Sequence, residues 1–263
     1  MEKNYTALGL MSGTSMDGVD ASTIFSDGDK GQITTVKNQY FEYDKDLYQK
    51  ITDLRDKISN SKDLKIYSDD VKTIEKKITL FHAKVVNEMT KLHPKYELDL
   101  VGFHGQTIFH NAKEELSIQL GDGKLLSHLT KTKVIYNFRN NDIKNGGQGA
   151  PLTPIFHQNL VRHLDLKRWP VVILNIGGIS NATSVPRLHL SNLLEDKKLE
   201  LFAKDIGPGN CLIDEWIRKN SKYKYDKDGL IAKSGKVNEL ILNQTLDNFS
   251  IENYKSSLPP SLD

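Results

Sequence analysis

Cysteine occurs once in this chain, at Cys211. A lone cysteine cannot close an intrachain disulfide or supply a cysteine-based zinc site. Neither sign of charge dominates. Thirty-six Lys and Arg stand against 34 Asp and Glu, a formal net charge of +2, so nothing in the charge balance points to a nucleic-acid partner. Lysines set beside acids, as in residues 222–228, read as solvated surface. Long apolar runs are missing too: none reaches the length of a membrane span. The first residues contain no signal-peptide apolar region. These absences lead to the expectation of a cytoplasmic enzyme or small-molecule binding protein, with no nucleic-acid and no membrane partner. What is present suits it: 263 residues, 38% hydrophobic and 27% charged, are enough for one large domain or two lobes.

The most informative stretch is residues 8–20, Leu-Gly-Leu-Met-Ser-Gly-Thr-Ser-Met-Asp-Gly-Val-Asp. An apolar strand runs into a turn of small hydroxyls and glycine. Alternation then resumes at Val19, Ala21, Thr23 and Phe25, the pattern of a second strand. Gly13 and Gly18 let backbone N–H groups approach a ligand closely. Consecutive donors in a tight turn make an anion nest. Asp17 and Asp20 would repel a bare phosphate, so Mg²⁺ is the natural companion. The same pattern also describes a hairpin with no ligand.

Further along, residues 32–43 read as a third strand and 47–58 as a helix, with residues 60–65 as a polar loop. Ser68 suits the N-cap of a long helix with Val71, Ile74, Ile78, Phe81, Val85, Met89 and Leu92 on one core stripe. Residues 98–103 form an apolar strand, expected to end at His104-Gly105-Gln106-Thr107. Polar side chains at a strand end suit ligand binding, though a lone histidine there is as readily structural. Strands follow at 116–120 and 134–138. Arg139 and Asp142 then precede Gly146-Gly147-Gln148-Gly149, a loop able to wrap a small molecule or another backbone. Those two charges fit a structural pair as well as a catalytic one.

Residues 154–164 read as a helix with Phe156, Leu160 and Leu164 inward. A lobe boundary is expected at residue 165, giving lobes 1–165 and 166–263. Residues 171–176 are apolar on both faces, which predicts a central strand in a covered sheet. Gly177-Gly178 and residues 179–183 then repeat the opening plan of strand, turn and strand. Residues 187–198 read as a surface connection and 199–204 as a strand. That strand leads to Asp205-Ile206-Gly207-Pro208-Gly209-Asn210 and a helix with Leu212, Ile213, Trp216 and Ile217 inward. The Gly-Pro-Gly turn is an anion site or a plain helix entry. A last helix is expected at 237–249, before a Pro-Pro connector at 259–260.

These motifs, in one order and spread nearly end to end, resemble the anhydro-N-acetylmuramic acid kinases of the sugar kinase, Hsp70 and actin superfamily. The resemblance rests on residues 9–20, on Gly102-Phe103-His104-Gly105-Gln106-Thr107, and on Phe138-Arg139 through Asp142 to Leu152. It continues in Asn175-Ile176-Gly177-Gly178-Ile179-Ser180-Asn181 and in Asp205 with Gly207-Pro208-Gly209-Asn210. It implies an α/β, two-lobe actin-like (ribonuclease H-like) ATPase fold, each lobe a mixed five-stranded sheet, with ATP in the cleft. Members of the family continue past residues 259–260, so the second lobe is expected to be incomplete here. The implied activity is opening of the 1,6-anhydro bridge with water and phosphorylation of O6, giving N-acetylmuramic acid 6-phosphate in peptidoglycan recycling. The alternative is an impaired sugar- or partner-binding remnant.

By the same resemblance, Asp142 is the catalytic base. The first phosphate loop is Ser12, Gly13, Thr14, Ser15, Met16, Asp17, Gly18, Val19 and Asp20. Asn175, Gly177 and Gly178 match the second phosphate loop, and Asp205, Gly207, Pro208, Gly209 and Asn210 a piece of the nucleotide site. His104, Gly105, Gln106, Thr107, Arg139, Gly147 and Gln148 would face the amino sugar. ATP and Mg²⁺ are the implied cofactors, with Asp17 nearest the metal through water and the ligands otherwise unassigned. A homodimer is implied. Asn137 departs from the family, where an acidic residue is usual.

Overall fold

A computed structural model describes residues 4–28, 33–92, 94–162, 164, 166–187 and 202–248. It is a mixed α/β protein. The chain divides into two compact units, Met1–Leu152 and Thr153–Leu262.

The first unit is built on a six-stranded sheet. Strands β1 (Tyr5–Ser12), β2 (Gly18–Ser26) and β3 (Ile33–Glu42) form an antiparallel meander. Strand β4 (Leu100–Asn111) lies parallel to β1 on its other side. Along its first half β4 pairs with β6 (Lys133–Tyr136), and along its second half with β5 (Leu116–Leu120). Inward residues alternate along the strands as a half-covered sheet requires: Leu8, Leu10, Val19, Ala21, Val101 and Phe103 are all buried.

Two helices supply the facing layer. In α1 (Lys45–Lys57) Leu47, Ile51 and Leu54 recur at helical spacing and are buried. The Asp44 carboxylate caps its start by accepting from the Leu47 amide at 2.8 Å. Helix α3 (Ser68–Leu92) buries Ile74, Ile78, Val85 and Met89. Its stripe also contains buried Thr79 and His82, while Leu92 is exposed.

Several local expectations change. Residues 60–65 include a short helix, α2 (Asp63–Ile66), and the Asp63 carboxylate holds the turn before it by accepting from the amides of Ser59 and Asn60. Helix α4 (Gly123–Thr130) was not expected; Asp122 caps it through the amides of Lys124 and Leu125. Arg139 and Asp142 precede the glycine loop as expected, but within a helix that was not expected, α5 (Phe138–Lys144), and the strand before it ends at Tyr136 rather than at Phe138. Residues 104–107 lie inside β4, not at its end. Gly105 has φ +73, and the register shifts between Thr107 and Phe109. The resulting kink lets one strand exchange β6 for β5 as its neighbour.

The second unit contains an antiparallel meander of β7 (Val171–Ile176), β8 (Ile179–Val185) and β9 (Phe202–Pro208), in that order. Like β1–β3, it is followed by a helix, here α7 (Cys211–Asn220). Helix α6 (Pro154–Arg162) packs on β8, with His157 Nδ1 2.8 Å from Thr183 Oγ1. Helices α8 (Leu230–Ser234) and α9 (Glu239–Asn248) complete the described part.

Burial overturns three expectations in this unit. Among the described residues β7 is an edge strand, and Val172, Leu174 and Ile176 are more than half exposed. An apolar composition on both faces is not sufficient to place a strand centrally; neighbours on both sides are needed. Helix α6 buries Pro154 and Val161, while Phe156, Leu160 and Leu164 are exposed. Helix α7 buries Ile217 but leaves Leu212, Ile213 and Trp216 exposed. The surface connection expected at 187–198 lies outside the described residues apart from Arg187, as do residues 199–201 of the strand expected at 199–204, Phe249 and residues 259–260. Strand β9 carries on through Asp205 to Pro208 instead of stopping at Lys204.

Candidate active site

In the first unit the turn between β1 and β2 is held from below and open at its tip. Thr14 and Ser15 are exposed, whereas Ser12, Met16 and Val19 are buried. Met16 takes the left-handed conformation, φ 57, which turns its side chain into the core. The Gly13 carbonyl accepts from the Met16 amide at 3.2 Å and from Gln106 Nε2 at 3.0 Å. The Asp17 carbonyl accepts from the Tyr43 amide at 2.8 Å. Its carboxylate accepts from Ser15 Oγ at 2.6 Å and from the Tyr40 hydroxyl. Burial, then Asp17, pushes the Tyr40 phenol above its ordinary range; the same two causes raise the Asp20 carboxyl. Gly18 is needed where it stands: a Cβ there would overlap the Phe41 carbonyl and the Tyr40 ring.

A second cluster surrounds Asp142. The Gly149 amide donates to Asp142 Oδ2 at 2.8 Å, and the Gly147 amide to the Asp142 carbonyl at 2.9 Å. The glycine loop therefore folds back over the residue that precedes it. A Cβ on Gly147 would overlap the Asp142 carboxylate, so glycine is what permits this approach. Arg139, one helical turn before Asp142, donates from Nη1 to the Gly149 carbonyl at 3.0 Å and from Nε to His104 Nε2 at 3.2 Å. His104 Nδ1 lies 2.7 Å from the Gly105 carbonyl and so carries the proton, leaving Nε2 to accept from Arg139. Burial and the Arg139 charge pull His104 from near 6.5 to about 4, and the ring is neutral at pH 7.

Gln106, expected to face the sugar, has a fully buried side chain spent partly on Gly13; its Oε1 finds no partner among the described residues. Thr107 Oγ1 accepts from Gln119 Nε2 at 3.3 Å. Gln148 is exposed on the loop. Beside His104 opens a cavity of about 200 Å³, lined also by Phe103, Gln119, Gly121, Tyr136 and Asn137.

In the second unit the Gly177-Gly178 turn and the start of α7 interlock. The Gly178 carbonyl accepts from the amides of Gly209 at 2.9 Å and Cys211 at 3.2 Å; the Gly177 carbonyl accepts from the Asn210 amide at 2.7 Å. Asn210 Nδ2 also reaches the Ile176 carbonyl at 3.2 Å. The amides at the helix entry are thus engaged by backbone oxygens. A Cβ on Gly209 would overlap the Gly177 carbonyl. Gly207, at φ +144, has open space where a Cβ would stand. Asp205 lies across from Asn181 in the ladder, and Pro208 ends β9; Asn175 is exposed near the end of β7.

Tyr40, Tyr43 and His82 were not singled out in the sequence. The one available signal was a histidine beside the mostly apolar stripe of α3. Among the described residues no three His, Cys, Asp or Glu side chains converge as a metal cluster, and no helix is long and apolar enough to cross a membrane.

Comparison with known proteins shows the family. The profile of the family described as anhydro-N-acetylmuramic acid kinase matches residues 5–258. The chain belongs to the anhydro-N-acetylmuramic acid kinase family. A curated member from Pelagibacter ubique is 54% identical over 256 residues, covering 97% of this chain and 65% of its own length. Members of the family from Agrobacterium fabrum and Gluconobacter oxydans are 38% and 36% identical, each covered over 67% of its length. The chain thus spans about two thirds of the curated relatives it matches. A solved structure of the Aquifex aeolicus PPX-GPPA enzyme aligns over 82% of this chain and 56% of that one, at 9% identity and a TM-score of 0.34, a likeness too slight to carry an argument.

Proposed function

We propose that this protein is an ATP-dependent kinase that opens 1,6-anhydro-N-acetylmuramic acid with water and phosphorylates O6, giving N-acetylmuramic acid 6-phosphate. Membership of the family supports the substrate. The observation that carries the chemistry is the carboxylate of Asp142, held through Oδ2 by the Gly149 amide. That bond leaves Oδ1 to take a proton from the water attacking the anomeric carbon. The C1–O6 bond breaks as the new C1–O bond forms, and the freed O6 is the nucleophile toward the γ-phosphate. Phosphoryl transfer then relies on alignment and charge neutralisation.

The residues present fit such a substrate pair. The tip at Thr14 and Ser15 offers exposed hydroxyls, and a Cβ on Gly13 would meet nothing closer than Ser15 Oγ at 3.8 Å. Gly207 offers similar open backbone in the second unit. We read the two units as the two lobes of an actin-like fold; the order β3-β2-β1-β4-β6 and the repeated meander support this. Mg²⁺ would neutralise phosphate charge, with Asp17 reaching it through water, since both Ser15 and Tyr40 already donate to that carboxylate. His104 and Arg139 act as orienting groups for the loop over Asp142.

Incubation of the chain with ATP, Mg²⁺ and 1,6-anhydro-N-acetylmuramic acid, followed by mass spectrometry, tests the proposal. N-acetylmuramic acid 6-phosphate is the expected product, and its absence from a folded sample overturns the reading. In the same assay Gly147→Ala is expected to slow turnover about tenfold or more, since displacing a reacting group by ~1 Å can cost 10²-fold. A rate equal to wild type would mean that the close approach of Gly147 to Asp142 has no catalytic importance.

A further inference from the structure

Beneath the tip of the β1–β2 turn lies a buried polar chain of a kind that an apolar core does not need. Ser12 Oγ, 1% exposed, is 2.9 Å from the Tyr43 hydroxyl and 3.4 Å from His82 Nε2. His82 Nδ1 is 2.8 Å from the Ile78 carbonyl. A carbonyl oxygen can only accept, so Nδ1 carries the proton and Nε2 of the neutral ring is bare. The Ser12 hydroxyl therefore donates to Nε2, and its oxygen accepts from Tyr43. The direction is single: Tyr43 to Ser12 to His82, with His82 donating to Ile78.

The environment enforces this arrangement. His82 is fully buried, and its ring packs edge-on at 4.9 Å from Phe103. Tyr43, 2% exposed, packs edge-on at 4.8 Å from Phe81. Burial pulls the imidazole down to about 4 and pushes the Tyr43 phenol up to about 12, so both stay neutral near pH 7. Three polar groups placed in a core lose hydration that Phe, Ala and Phe would not. What they provide is a fixed geometry, since a fully satisfied buried network admits one arrangement. The three residues come from the end of β1, the segment between β3 and α1, and the middle of α3. They meet at the residue that opens the turn.

We propose that His82 and Tyr43 are positioning residues for the phosphate loop, acting through the Ser12 hydroxyl to set the direction of the backbone at residues 12–15. In this arrangement Ser12 contributes its backbone to the loop, and its hydroxyl makes no contact with the nucleotide. The inference rests on reading residues 12–20 as a phosphate loop.

The test uses the 263-residue chain and two readouts, only one of which needs nucleotide. Amide hydrogen exchange at residues 13–17 is measured against the interior of β1 and β4, and the Kd of Mg–ATP is measured by calorimetry. His82→Phe keeps a ring in place but removes the acceptor. It is expected to speed exchange at 13–17 about tenfold, to leave the interior of β1 and β4 protected, and to weaken Mg–ATP about tenfold, the scale of one lost hydrogen bond. Tyr43→Phe, which deletes a single hydroxyl, is expected to act in the same direction and serves if His82→Phe does not fold. His82→Gln places an amide oxygen near the position of Nε2 and is expected to restore both readouts to within about threefold.

Unchanged exchange at 13–17 in both ring variants overturns the proposal. So does a uniform rise across β1 and β4, or a Gln variant as impaired as Phe; these would mean packing alone. If wild type binds no nucleotide, the phosphate-loop reading fails by itself, and the exchange arm still decides whether the tether sets the turn.

Discussion

Asp142→Asn is expected to lower formation of N-acetylmuramic acid 6-phosphate by about 10³-fold, within the 10²–10⁴ range of a positioned general base. Asparagine preserves the shape of the site. Its amide oxygen can still accept from the Gly149 amide, as Asp142 Oδ2 does at 2.8 Å. What it cannot do is remove a proton from water. Mg–ATP binding is therefore expected to stay within about twofold, and thermal stability close to wild type, because the loop keeps its closing hydrogen bond. Turnover and calorimetry on one preparation separate the possibilities. A variant with unchanged turnover removes Asp142 from the chemistry. A variant losing ATP binding in parallel assigns Asp142 a structural task in the loop.

The second large effect is on stability. His82 and His104 both titrate near 4 in the folded protein, against about 6.5 in an unfolded chain, chiefly because burial disfavours the charged ring. Between those values the unfolded state binds more protons than the folded one, so stability falls as pH drops from about 6.5 toward 4. It is fully present above 6.5. Each histidine contributes up to about 3 kcal/mol over that window, at about 1.4 kcal/mol for every pH unit that separates its folded and unfolded titration points. Urea titrations at pH 7, 5.5 and 4.5 should show the midpoint of the first unit moving steadily down. His104→Gln should flatten part of that slope, since it removes one titrating ring. A midpoint constant from pH 7 to 5 would mean that neither ring is held neutral by burial.

The family and the candidate residues were legible in order along the chain because each motif is a local event. Glycines mark where the backbone must turn or approach closely, and residues 9–20, 102–107, 138–152, 175–181 and 205–210 each do so within a few residues. The stripe of α3 and the alternation of β2 were legible for a related reason: periodicity reports which face is buried without naming what covers it. Asp44 and Asp122 act locally as well, each capping the helix that follows it, but the helix after Asp122 was not read from the sequence.

Whatever depends on a distant partner had to wait for the tertiary structure. The apolar composition of residues 171–176 was compatible with a central strand, but the ladder makes β7 an edge among the described residues. Helices α6 and α7 carry apolar residues on more than one face, and their spacing did not select Val161 and Ile217 as the buried ones; α6 packs on β8. Gln106 was expected at a ligand because it follows a strand with glycine beside it; a kink in β4 turns it under Gly13 instead. His82 stands 70 positions from Ser12, and no short-range pattern links a helix histidine to the first residue of a turn. Sequence alone determined which family the motifs match and, in α1, α3 and β2, which face is buried, since those follow from local sterics and spacing. Tertiary structure decided which polar atoms face one another, because a hydrogen bond is settled by distances of a few tenths of an ångström between elements that the chain order leaves far apart.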